Sequence, residues 1–189
     1  MAQARTERGG KASARARARK MGDESAAPAL LGAAPLPFDA WRVGLRFASR
    51  RRTVSEADIV GVTQLSGYAA EQLFADMVYL REQAGHPRRL APALLTASIA
   101  DALIVGSGVL EGVAVALVGI DQLSARAPVY AGDTLMVRVE VLSAKLSASK
   151  PDRGVVTTRQ EVCNQDGTVV LTYNVSRMLK RAAPGQPRL

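Results

Sequence analysis

The 189-residue chain is short of the residues that most often advertise chemistry. Cys163 is its one cysteine, so no disulfide forms within the chain. His86 is its one histidine, and any mechanism that needs an imidazole near neutral pH must use it. One cysteine and one histidine exclude an ordinary zinc cluster. Aromatic residues make up 4% of the sequence, so aliphatic side chains carry the core. No apolar run reaches the roughly 20 residues that cross a bilayer. The Gly-x-Gly-x-x-Gly fingerprint, the Gly-Lys-Ser phosphate loop and the Gly-x-Ser-x-Gly elbow are all missing.

Charge is unevenly spread. The formal net charge is +8, and residues 1–20 supply +6 of it through seven basic side chains and Glu7. The remainder is close to neutral, which argues against a nucleic-acid-binding body. The basic stretch lacks interleaved aromatics for base stacking, and no secretory apolar core follows it. It reads as a disordered tail over 1–37, rich in arginine, alanine and proline, with an organelle transit peptide or a start at Met21 as the alternatives. A domain over 38–181 and a polar C-terminal tail over 182–189 complete the expected organisation, in a reducing, cytoplasmic setting.

What the sequence does have is concentrated between Pro92 and Val105. Pro92 suits the first turn of a helix, and the alanines and leucines after it favour helix. Leu94, Leu95, Ile99, Leu103, Ile104 and Val105 run nearly all the way round, which predicts a helix buried on every side. Asp101 sits inside that run and needs a partner or a wet pocket. Its partner is an arginine or a backbone N–H, or it faces a seam between subunits.

The flanking segments are simpler. Val43 to Thr53 reads as an irregular strand ending in Arg50-Arg51-Arg52, either a solvated edge or a phosphate contact. Ser55 and Asp58 form a capping pair for a helix that ends near Leu65-Ser66-Gly67. Glu71 to Gln83 reads as one helix with Leu73, Phe74, Met77, Val78 and Leu80 on its buried face. After the central helix everything is strand-like: Val113 to Ser124, the alternating Thr134 to Leu142, and a hairpin of Val155–Asn164 and Thr168–Leu179 around Asp166-Gly167.

Several stretches together resemble one family. Arg52 to Ile59, Leu65 to Gly67, Arg89 to Thr96, Arg126 to Leu135 and Asn164 to Val170 look like the MaoC-like (R)-specific enoyl-CoA hydratase/dehydratase family. The resemblance runs from about Phe38 to Arg181. It implies an α+β single hotdog domain, an antiparallel sheet wrapped around a buried central helix. It also implies acyl-CoA as substrate or ligand with no further cofactor or metal. The expected assembly is a homodimer or higher even oligomer, or a heteromer with an active MaoC-like subunit.

The family's hydratase motif, Gly-Asp-x-Asn-Pro-x-His-x-Asp followed by Ala-His-Gly, is not kept. With one inserted residue the histidine position is Phe74, the aspartate position is Tyr68 or Ala69, and Glu71 and Gln72 replace Asn and Pro. Without the insertion the histidine position is Leu73. The second histidine is Pro92, and Asp76 matches the trailing acid. Three functions follow. A rearranged hydratase would use Glu71, Tyr68 and His86 as its acid–base set. A silent acyl-thioester-binding subunit would use none. A hotdog thioesterase would rely on one carboxylate, Glu71 or Asp101. Phe74, Pro92, Thr96, Ser98 and Asp101 are the candidate pocket residues, although Thr96 and Ser98 can equally bond back to their own helix.

Overall fold

The structure is a computed structural model that describes residues 34–182. The expected tails therefore lie largely outside the described residues, over 1–33 and 183–189. Strands β1 (Arg46–Ala48) and β2 (Arg52–Thr53) come first, then α1 (Glu56–Ser66), α2 (Gln72–Ala75), α3 (Met77–Glu82) and α4 (Ala93–Val105). Four long strands follow: β3 (Ala114–Ala125), β4 (Thr134–Leu146), β5 (Arg153–Cys163) and β6 (Val169–Lys180). All strand pairs are antiparallel, in the order β1-β4-β5-β6-β3, with β2 also alongside β4. The sheet curls around α4, the hotdog arrangement.

Alternation sets the sheet. Leu135, Val137, Val139 and Val141 of β4 are buried, as are Val156 and Val162 of β5 and Leu171, Val175 and Leu179 of β6. They meet Leu95, Ile99, Ala100 and Ile104 of α4 in one core. Burying each such side chain contributes about 1.5–3 kcal/mol before ordering costs.

Helix α4 departs from expectation. Leu94 and Val105 are 57% and 54% exposed, and Ser98 and Ala102 between them are exposed too. The sheet covers one face of the helix and nothing among the described residues covers the other. Pro92 is the residue before the helix, in extended backbone (φ −55°, ψ 141°), rather than in its first turn.

Strand β3 departs in the same direction. It is the sheet edge opposite β1, exposed along most of its 12 residues, including Val115, Leu117, Val118, Ile120 and Leu123. Its other side follows β6 with three register shifts, and Gln122 takes a left-handed φ of 53°.

Two further expectations change. The strand read over Val43–Thr53 is two short pieces, β1 and β2. The helix read over Glu71–Gln83 breaks at Asp76, whose backbone is extended (φ −105°, ψ 109°). Its carboxylate accepts from the N–H groups of Val78 (2.8 Å) and Tyr79 (3.1 Å). An aspartate that caps the next helix competes with continuing the previous one. As a result Leu80 alone of the predicted face is fully buried, and Val78 is exposed.

Candidate functional site

The segment that holds Tyr68, Glu71 and Phe74 begins where α1 ends. Gly67 takes φ 79°, a conformation that costs glycine little, and turns the chain into the 3-10 turn Tyr68–Ala70. Glu71 precedes α2, exposed, and its side chain makes no hydrogen bond or ion pair with a described residue. Tyr68 stacks on Phe74 with ring centroids 5.4 Å apart and planes 15° from parallel. Arg89 braces this wall: its Nη1 donates to the Phe74 carbonyl at 3.1 Å and its Nε to Glu56 Oε2 at 2.6 Å. The resemblance expects an imidazole at Phe74 with one inserted residue, or at Leu73 without it.

His86 serves another cluster. Its Nδ1 and the Tyr130 hydroxyl share a hydrogen bond of 2.9 Å. The Arg88 guanidinium lies 4.9 Å from the centre of the Tyr130 ring, and Arg88 Nη2 donates to the buried Asp133 carboxylate at 3.0 Å. Asp133 also accepts from the Tyr130 N–H at 2.9 Å. These contacts pin the loop before α4 to the turn before β4. They give His86 a structural partner, and no hydrogen bond joins it to Glu71.

At the start of α4, the hydroxyls of Thr96 and Ser98 donate to the carbonyls of Pro92 (3.4 Å) and Leu94 (2.9 Å). Both therefore bond back to their own helix. Of the arginine triplet, Arg52 pairs with Asp58 at 2.6 Å, while Arg50 and Arg51 are exposed.

Asp101 has found the arginine that its position requires. Arg177 Nη2 donates to Asp101 Oδ1, and the arginine side chain is only 10% exposed. This pair lines a cavity of about 530 Å³ between the C-terminal half of α4 and the edge strand β3. Val105, Leu110, Val115 and Leu117 supply apolar walls, and Glu111 adds a second acid. Deeper along the same face of the sheet, the Tyr173 hydroxyl donates to Gln160 Oε1. Burial pushes the Tyr173 phenol up, and the Asp101 charge adds to the effect against Arg177. Gln160 Nε2 is buried without a hydrogen-bond partner.

Arg177, Tyr173 and Gln160 are absent from the residues singled out in the sequence. The period of two held the signal: Arg177 stands on the same face as Leu171, Val175 and Leu179. A charge on a buried strand face needs a partner as much as Asp101 does.

No protein-family model matches the chain, and no curated protein matches it. Solved structures do. A MaoC-like dehydratase from Rhodospirillum rubrum is 30% identical over 78% of this chain and 99% of its own, with a TM-score of 0.68. A monoamine oxidase regulatory protein from Archaeoglobus fulgius is 28% identical over 80% and 99%, with a TM-score of 0.69. A Mycobacterium tuberculosis protein with a double hotdog fold is 22% identical and matches in fold (TM-score 0.70). The match covers 81% of this chain and 46% of that longer one.

Proposed function

This chain belongs to the MaoC-like dehydratase and hydratase family of hotdog proteins, and from that premise we propose that it is an acyl-thioester-binding subunit that performs no hydration. The observation that supports the reading is the Tyr68–Phe74 stack, since Phe74 stands where the resemblance, with one inserted residue, puts the family's histidine. A phenylalanine has no proton to transfer. The substitute set of Glu71, Tyr68 and His86 would need its members within hydrogen-bond reach of one reacting centre. Instead His86 bonds Tyr130, and Glu71 stands exposed on its own.

The same reading includes assembly. The open face of α4 and the edge of β3 invite a second hotdog, either another copy of this chain or an active MaoC-like subunit. An apolar strand edge of that length is one that native proteins cover. The setting is cytoplasmic, and the acyl-CoA is the only small molecule the reading needs.

The test is hydration of crotonyl-CoA and a longer enoyl-CoA by the purified full chain, followed at the enoyl-thioester absorbance, beside calorimetric titration of acyl-CoA. Binding without turnover is expected. Turnover that Glu71→Gln abolishes would replace this reading with a rearranged hydratase.

A further inference from the structure

The turn at residues 43–44 brings three exposed aliphatic residues to one rim of the sheet. Gly44 donates its N–H to the Val141 carbonyl at 2.9 Å, and the Val141 N–H donates to the Leu45 carbonyl at 3.0 Å. Val43, Leu45 and Leu142 flank these two bonds; Val43 is 69% exposed, and Leu45 and Leu142 are exposed beside it. Basic residues frame them. Arg42 precedes the turn and Lys145 follows on β4, both exposed and neither in an ion pair with a described residue. Glu140, the acid across from β1 in the sheet, is already paired with Arg46 at 3.0 Å. The turn Phe38–Ala40 leads straight into this rim. Between Lys20 and residue 34, where the described chain starts, the backbone can span about 45–50 Å at full extension, more than a domain of this size is wide. The +6 carried by residues 1–20 can therefore reach the rim.

Three kinds of occupant can be compared. A few aliphatic side chains fall far short of the roughly 800 Å² that each partner gives to a stable protein interface. A nucleic acid needs rings on which its bases stack, and Trp41 and Phe47, on either side of the turn, are buried. A lipid surface takes aliphatic side chains into its headgroup region and holds basic ones at its negative charge. Either signal alone binds marginally, and stable attachment needs both. We propose that the rim of Val43, Leu45 and Leu142, together with the basic stretch over residues 1–20, docks the chain on an anionic lipid surface. The contact is peripheral, made by side chains at one rim. That rim lies at the β1 edge, across the sheet from β3, so docking leaves β3 and α4 open to a second subunit.

The experiment sediments the full chain with lipid vesicles at about 0.1 M salt. One set of vesicles is phosphatidylcholine alone, and the other is about one-third phosphatidylserine. The chain should bind the anionic vesicles about tenfold more tightly, or better. Arg15→Gln, Arg17→Gln, Arg19→Gln and Lys20→Gln combined should weaken that binding about tenfold or more, and so should Val43→Asp with Leu142→Asp. Val43 and Leu142 are exposed, so the aspartate pair should keep the wild-type unfolding temperature. Val43→Trp should tighten binding about threefold, a gain that no folding defect produces. Equal affinity for the two kinds of vesicle, sedimentation with neither, or binding that survives either set of exchanges would overturn the proposal. Polyuridylate is titrated as a general polyanion. If it binds as tightly as the anionic vesicles, and the aspartate pair alters neither affinity, the basic stretch binds nucleic acid without the rim and the proposal falls.

Discussion

Tyr68 lies nearly parallel to Phe74, their ring centroids 5.4 Å apart, because the 3-10 turn after Gly67 folds one ring back over the start of α2. Phe74 is half-buried, so Phe74→Ala should cost about 1–2 kcal/mol, less than the truncation of a fully buried ring. Urea unfolding measures the loss. Hydration of crotonyl-CoA should stay at background in the variant, since opening the space installs no acid or base.

Asp58 closes the capping box of α1. The Ser55 N–H is the main influence holding its carboxyl below the ordinary aspartate range; the Ser55 hydroxyl and Arg52 add to it, and burial opposes it. A carboxyl whose pKa is lowered on folding stabilises the protein above its unfolded value, and that stability fades as pH falls through the folded one. Asp58→Ala should therefore cost about 1 kcal/mol at neutral pH. The difference from wild type should shrink at an acid pH below the ordinary aspartate range, as protonation removes a charge that the variant never had. Denaturant unfolding at the two pH values decides it.

The His86–Tyr130 hydrogen bond is expected to be structural. His86→Ala and Tyr130→Phe should each destabilise the chain. Their double-mutant cycle should show a coupling of about 0.5–1.5 kcal/mol. Acyl-CoA affinity should not move. A loss of binding in His86→Ala with stability intact would return His86 to the site.

Gly154 is buried in β5 with no room for a methyl group. A Cβ there would stand 2.3 Å from Phe38 Cε2 and 2.7 Å from the Lys145 carbonyl oxygen. Gly154→Ala should displace Phe38 and cost about 1–3 kcal/mol by overpacking. Trp41 donates its backbone N–H to the Phe38 carbonyl at 3.1 Å and is the chain's one tryptophan, so its fluorescence reports the shift.

Ile120 lies exposed near the middle of β3. Ile120→Lys puts a charge on the open edge and should move the chain toward monomer in size-exclusion chromatography, with its own fold retained. An unchanged elution volume would locate the contact elsewhere.

The sequence made the hotdog order legible because its signals were local and mutually consistent. The Ser55–Asp58 cap, the left-handed Gly67, the alternation through Leu135 to Val141 and the Asp166-Gly167 hairpin each needed only neighbouring residues. The breaks were set by competition that periodicity does not report. Asp76 ended α2 by capping α3, although Phe74, Met77 and Leu80 kept helical spacing. The apolar circumference of α4 hid its open side, since Leu94 and Val105 look the same in sequence whether the sheet or another subunit covers them. The site was half legible. Asp101 stood out as a charge among apolar residues, but Arg177 lies 76 positions away and meets it only after β6 has paired.

Among the described strands β3 pairs with β6 alone, the last strand to be made. The 55 residues after Ala125, through Lys180, take roughly 3–11 s to synthesise at about 5–20 residues per second. For that interval β3 is present without its neighbouring strand, and Asp101 waits without its arginine. A chaperone that shelters apolar segments on the ribosome has its longest task here on the central helix.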